Sequence, residues 1–192
     1  MLLIVRHGRT VANASGLLQG RVDNALDDLG LRQAQLIAQA LGKVDLVVSS
    51  PLIRARETAE PLGLPLRSDE RGTELDYGEW DERPLADVSS AEWAEWRSDL
   101  SFAPPGGESL SALDLRVAAA CEDLLTEARD KDVAVFTHVS PIKSAVAWAL
   151  GVGGQISWRM NVAQAQITRI AIREDKPILV SFNETSHLSH AQ

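Results

Sequence analysis

Leu2-Leu3-Ile4-Val5-Arg6-His7-Gly8 is the stretch from which the fold can be read. Four apolar residues in a row, without polar alternation, describe a strand buried on both faces, as in the interior of a mainly parallel sheet. The run ends abruptly in a cation and an imidazole. Polar residues therefore stand beyond the carboxyl end of the strand, where open α/β sheets build their ligand sites.

The same signature recurs twice. Residues 46–48 run into Ser49-Ser50-Pro51 and then Arg54, and residues 133–137 run into His138. Further strands are expected at 167–172 and 178–182, with an edge strand at 64–66. Between them lie helical patterns. Leu31, Ala34, Ala38 and Leu41 recur at helical spacing up to a stop at Gly42, and Leu110, Leu113, Val117, Cys121, Leu124 and Ala128 form a longer stripe. Ser50-Pro51 and Ser140-Pro141 each suggest a helix start, with serine as the cap and proline in the first turn. Strands alternating with helices predict an α/β fold with three α/β/α layers and a mainly parallel sheet. One domain spanning 1–192 is expected. Residues 81–108 break the rhythm with Trp93, Trp96, seven acids, two arginines and Pro104-Pro105-Gly106-Gly107, and they read as a small helical cap insertion.

Composition narrows the function. A net charge of -8 over 192 residues argues against nucleic-acid binding, which needs a basic face. It leaves room for anionic substrates, since a few converging arginines make a local positive pocket. The single cysteine, Cys121, lies on an apolar helical face and is expected to be buried. The opening apolar run is too short for a signal-peptide core and no segment has membrane length, so a cytoplasmic location with no membrane partner is expected. A homodimer is compatible with the sequence.

Arg6, His7, Arg54 and His138 thus gather at one sheet edge, a set suited to phosphoryl transfer. The transferring group spreads charge over three equatorial oxygens, which fixed cations stabilise. Arginine offers two planar donors to such oxygens. A neutral imidazole attacks phosphorus if its other nitrogen is held as a donor, and Gly8 is expected to let the backbone approach His7 for that purpose. A protonated His138 would bind the transferring oxygens. No carboxylate cluster suggests a metal or other cofactor. A carboxyl group must protonate the leaving alkoxide and then activate water. Glu74, Asp76, Glu79 and Glu82 all stand at suitable places, and spacing alone does not choose among them.

These blocks resemble the histidine phosphatase superfamily, also called the phosphoglycerate mutase-like family, over nearly the whole chain. The resemblance rests on Arg6-His7-Gly8, Asn13, Leu18-Gln19-Gly20-Arg21-Val22-Asp23, Leu29-Gly30-Leu31-Arg32-Gln33-Ala34, Ser49-Ser50-Pro51-Leu52-Ile53-Arg54-Ala55, Glu74, Pro105-Gly106-Gly107-Glu108-Ser109 and His138, in that order. It implies His7 as nucleophile, with Arg6, Arg54 and His138 around the phosphate and Glu74 as acid and then base. Asn13, Gln19 and Gly20 match positions on the substrate side in relatives. Arg9, where many relatives carry glutamate, is grouped with them. Two positions depart from the pattern: Val139 follows His138 where relatives often have glycine, and Glu82 stands where the block after Tyr77-Gly78 usually reaches glycine.

The expected activity is hydrolysis of a small phosphate monoester. A phosphoglycerate mutase would need a cap rich in cations, and 81–108 offers only Arg83 and Arg97 among seven acids. A regulatory phosphoprotein phosphatase would leave its pocket open, whereas Trp80, Trp93 and Trp96 suggest either a covered apolar cleft or a means of pinning the cap. His187 and His190 read as tail residues.

Overall fold

The computed structural model describes residues 1–189. The strands are β1 (Leu2–Arg6), β2 (Leu46–Ser49), β3 (Leu66–Ser68), β4 (Val133–Thr137), β5 (Ile167–Arg173) and β6 (Lys176–Glu184). They form one sheet in the order β3-β2-β4-β1-β5-β6. The first four positions are parallel, and β5 and β6 run antiparallel at one edge. The fold is therefore the expected α/β arrangement with a mainly parallel sheet. Its edge strand begins two residues later than the sequence suggested.

Among the described residues, six α-helices accompany the sheet: α1 (Val11–Ala14), α2 (Asp28–Leu41), α3 (Ile53–Ala59), α4 (Ser90–Ser98), α5 (Leu110–Asp130) and α6 (Val139–Leu150). The apolar strands bury alternate residues on opposite faces, as the pleat requires. Leu2 and Ile4 join Val133 and the α5 stripe of Leu113, Val117 and Leu124 in one core cluster. Leu3 and Val5 join Ala134, Phe136 and Ile37 of α2 in the other. Cys121 is buried within the α5 cluster, where burial pushes its thiol up to about 12.

Two helix starts differ from the sequence expectation, for one physical reason. Helix α3 begins at Ile53 with Leu52 in the cap position, because the Ser50 hydroxyl is engaged by His138 and by Leu52 N. Helix α6 begins at Val139, two residues before Pro141. Its first amides are satisfied by the distant Glu74 carboxylate, and Ser140 makes no cap. A long-range cap replaces the local one. By contrast, Asp27 caps α2 through Gly30 N, and Gly42 ends that helix at φ 64°.

The segment containing α4 leaves and rejoins the fold at one point. Glu79 N donates to Pro105 O and Glu108 N to Asp76 O, both at 2.9 Å. Gly78 and Gly107 make this crossing possible, since a Cβ on Gly107 would stand 2.5 Å from Asp76 O. Within the segment, Ser89 and Glu92 form a reciprocal capping box at the start of α4. Glu82 adopts a left-handed φ of 64° with its amide bonded to Leu18 O. Glycine adopts this conformation without the strain that a side chain adds.

Candidate active site

His7 leaves the end of β1 almost fully buried, at 3% exposure. Its backbone is held by Thr137 O of β4, and its carbonyl accepts from Ala165 N. The Nδ1 atom lies 2.7 Å from Gly8 O. A carbonyl can only accept, so Nδ1 carries the proton and Nε2 keeps its lone pair. Burial, reinforced by Arg54 and Arg6, holds the His7 pKa well below the usual histidine range. The ring is therefore neutral at physiological pH. The small size of Gly8 serves a second purpose besides bringing the backbone to His7. A Cβ there would meet Gly30 O at 2.6 Å, so the glycine lets the start of α2 pack under the His7 loop.

Arg54 is fully buried on the first turn of α3. Its NH1 and NH2 atoms donate to Val22 O at 2.8 Å and Gly20 O at 2.7 Å. Those carbonyls are presented by a loop that Asp81 fastens through the amides of Gly20, Arg21 and Val22. Arg54 Nε donates to His138 Nδ1 at 3.2 Å. The other ring nitrogen, Nε2, consequently carries the proton and donates to Ser50 Oγ at 2.8 Å. This corrects the expectation of a protonated His138. Burial, then Arg54, His7 and Arg6, lower its pKa well below the normal range. The two imidazole rings lie 5.1 Å apart. Arg6 completes the group, anchored by NH1 to Val162 O at 2.7 Å, with its pKa lowered to about 10 mainly by burial.

Glu74 is also buried, and its carboxylate accepts from Val139 N at 3.0 Å, Ser140 N at 3.1 Å and Leu75 N at 2.8 Å. Val139 thus supplies one of the three backbone donors. The backbone around Glu74 is gripped by Arg116 of α5. Arg116 NH1 donates to Arg71 O and Thr73 O, each at 2.7 Å, and NH2 donates to Glu74 O at 3.1 Å. The Nε and NH2 atoms also meet both oxygens of Glu108 at 2.7 Å. All five guanidinium protons are used, a fork that lysine could not reproduce. Asp76, Glu79 and Glu82, the other acids open to the sequence reading, do not line the cavity next to His7.

That cavity measures about 330 Å³, near the lower end for small-molecule sites. Arg6, His7 and Glu74 line it together with Trp93, Trp96 and Trp158. Arg54 and His138, both fully buried, are not among its lining residues. Asn13 and Gln19 also line it, linked through Thr10, whose hydroxyl donates to Gln19 Oε1 and whose amide donates to Asn13 Oδ1. Both amide oxygens being occupied, the amide nitrogens remain as donors.

Two expected substrate-side residues lie elsewhere. Gly20 is set behind the cavity as an acceptor for Arg54, close under Leu75 O and Tyr77. Arg9 turns away to pair with Asp27 Oδ2 at 2.7 Å, while Gln33 accepts from its amide. Of the three tryptophans singled out, Trp93 and Trp96 border the cavity. Trp80 packs behind them against Trp96 and Phe102.

The sequence reading missed Tyr77, Lys143, Trp158 and Arg116. Tyr77 stood in a quoted block, and burial, with the Glu74 charge, holds its hydroxyl as a neutral phenol. The other three carry no local signal, since each is a single residue on an otherwise ordinary helix or turn. His187 donates to or accepts from nothing in the cavity and contacts Ala165 O at 2.9 Å. His190 falls outside the described residues. No helix among the described residues is long and apolar enough to cross a membrane.

Known proteins resemble this chain along nearly its whole length. The histidine phosphatase superfamily (branch 1) profile matches residues 2–185. A putative phosphoserine phosphatase 2 of Hydrogenobacter thermophilus is 31% identical, with 97% of this chain and 96% of the relative aligned. The structure of a phosphoserine phosphatase from Entamoeba histolytica in complex with phosphoserine superposes with a TM-score of 0.90. It is 27% identical over 97% of this chain and 98% of that one. A mycobacterial glucosyl-3-phosphoglycerate phosphatase bound to VO3 gives a TM-score of 0.87 at 29% identity, covering 96% and 98%. This chain belongs to the histidine phosphatase superfamily.

Proposed function

We propose that the protein is a phosphoric monoester hydrolase that cleaves a small phosphate ester through a phosphohistidine at His7. The observation that carries the proposal is the hydrogen bond from Nδ1 to Gly8 O, which leaves a neutral ring with a free Nε2 lone pair beside the cavity. Nε2 attacks phosphorus and the bond from phosphorus to the ester oxygen breaks. The Glu74 carboxylic acid gives that oxygen its proton, so the alcohol departs neutral. Gly8 O continues to hold the Nδ1 proton as the ring becomes cationic. Water then attacks the phosphohistidine, Glu74 takes its proton, and inorganic phosphate leaves.

Arg6 and Arg54 supply the positive charge that the transferring oxygens require, and His138 links Arg54 to Ser50 through Nδ1 and Nε2. An arriving phosphate would offset the cations that add to burial in keeping His138 neutral. The segment 79–107, closed at its base and carrying Trp93 and Trp96, serves as a cap over the alcohol portion. A mutase must also hold a doubly phosphorylated intermediate, and the cap's tryptophan-rich inner wall does not favour that alternative.

The test is a panel of phosphomonoesters assayed with wild type, His7→Ala and Arg54→Ala proteins, with a chelator present. Hydrolysis that survives the chelator and falls by at least about a thousandfold in His7→Ala is expected. Rapid isomerisation of phosphoglycerate in place of phosphate release would contradict it.

A further inference from the structure

Lys143 is a cation in the cavity to which the phosphoryl-transfer chemistry gives no task. It lies on the second turn of α6, half-buried, and lines the same space as Arg6, Glu74 and Trp158. Among the described residues its ammonium makes no salt bridge or hydrogen bond. The one carboxylate that shares the cavity, Glu74, is already occupied by three backbone amides. Burial lowers the Lys143 pKa, with Glu74 opposing and Arg6 adding to that effect. The side chain is half-buried and its ammonium stays open to the cavity, where a ligand can supply the counter-charge.

The aromatic part of the lining has a different character. Trp93 and Trp96 stack at 5.5 Å with an interplanar angle of 10°, and Trp158 stands edge-on to both. Flat apolar faces of this kind suit a ring or a broad apolar segment more than a short polar chain.

We propose that Lys143 is a specificity-determining residue, pairing with a carboxylate on the alcohol portion of a phosphomonoester whose ring lies against Trp93, Trp96 and Trp158. This rests on the phosphatase function proposed for the same cavity and adds the class of substrate. Two other tasks are open to the lysine, contact with the phosphate itself or an influence on Glu74. Either would act on every substrate alike, whereas a carboxylate contact acts only on esters that carry one.

A matched pair of substrates separates them: carboxyphenyl phosphate and carbamoylphenyl phosphate, equal in ring and nearly equal in size, differing in charge. Wild type should favour the carboxylate by about tenfold in kcat/KM. Lys143→Met should bring the ratio of the two towards one, and Lys143→Arg should keep most of the preference, which also guards against a folding defect. Equal loss on both substrates in Lys143→Met overturns the inference and leaves the phosphatase intact. Hydrolysis of both by wild type without preference overturns it in the same way. Failure of wild type to hydrolyse either would overturn the phosphatase function itself, and this inference with it.

Discussion

His7 and Glu74 place different demands on the leaving group, and that difference makes their roles separable. An alkoxide needs a proton as it departs, whereas a nitrophenolate does not. In Glu74→Gln, kcat/KM for an alkyl phosphate should therefore fall about 10²–10⁴-fold, with a much smaller loss for nitrophenyl phosphate. Equal losses on the two would remove Glu74 from the acid role. Arg116 provides the companion case. It touches no substrate, but it grips the carbonyls of Arg71, Thr73 and Glu74 from α5. Arg116→Ala leaves those carbonyls and the Glu108 carboxylate without their donor, which should cost about 2–4 kcal/mol of stability. It should also skew activity in the same direction as Glu74→Gln. A purely structural role would lower both substrates together, so the ratio between them is the measurement that decides.

At the scale of elements, the decisive contact is the meeting of two backbones. The loop after β1 carries His7, and the start of α2 packs beneath it through Gly8 and Gly30. A methyl group on Gly30 would drive into Arg9 O, a backbone atom that cannot swing aside. Gly30→Ala should therefore destabilise by about 3 kcal/mol and displace His7, lowering activity as well as the unfolding midpoint. The opposite outcome is expected at Glu82, whose left-handed backbone costs about 1 kcal/mol in a residue with a side chain. Glu82→Gly should leave stability unchanged or raise it by a few tenths of a kcal/mol, after the added freedom of the unfolded chain is subtracted. Denaturant midpoints check both.

These elements also show what the sequence could disclose. β1 and β4 were legible because a strand buried on both faces must be apolar throughout, and the polar residues after each one stand out sharply. Their ends then placed His7, Arg6 and His138 at a common edge. The starts of α3 and α6 were not legible. Ser50 and Ser140 have the chemistry of caps, but a capping serine must have its hydroxyl free. Ser50 is taken by His138, and Glu74 reaches across the fold to the amides of α6. Lys143, Trp158 and Arg116 were hidden for a related reason. Their importance depends on which way a helix face points, and a single residue carries no period.

Across the whole molecule, an acidic protein with a net charge of -8 keeps a cationic pocket, and the two facts coexist because the pocket is buried. The same burial shapes the response to pH. His7 and His138 are held neutral when folded but titrate normally near 6.5 when unfolded. Between their folded values and 6.5, unfolding takes up protons, so stability falls as pH drops through that window. The two together contribute a slope of up to about 2.7 kcal/mol per pH unit there, and His187, also lowered, acts in the same direction. Unfolding measured from about pH 7 to about pH 5 should show this decline, and a His7→Gln, His138→Gln double variant should show a shallower one. Parallel slopes would mean that neither ring is held neutral.

The whole reaction depends on covalent chemistry at one nitrogen. Protein mixed with a nitrophenyl phosphate and quenched in alkali within the first turnover should carry a phosphoryl group that is stable to base and labile to acid. Peptide mapping should place it on His7, and His7→Ala should carry none. A burst of nitrophenolate with no trapped phosphoryl group, or a label on any other residue, would contradict a phosphohistidine at His7.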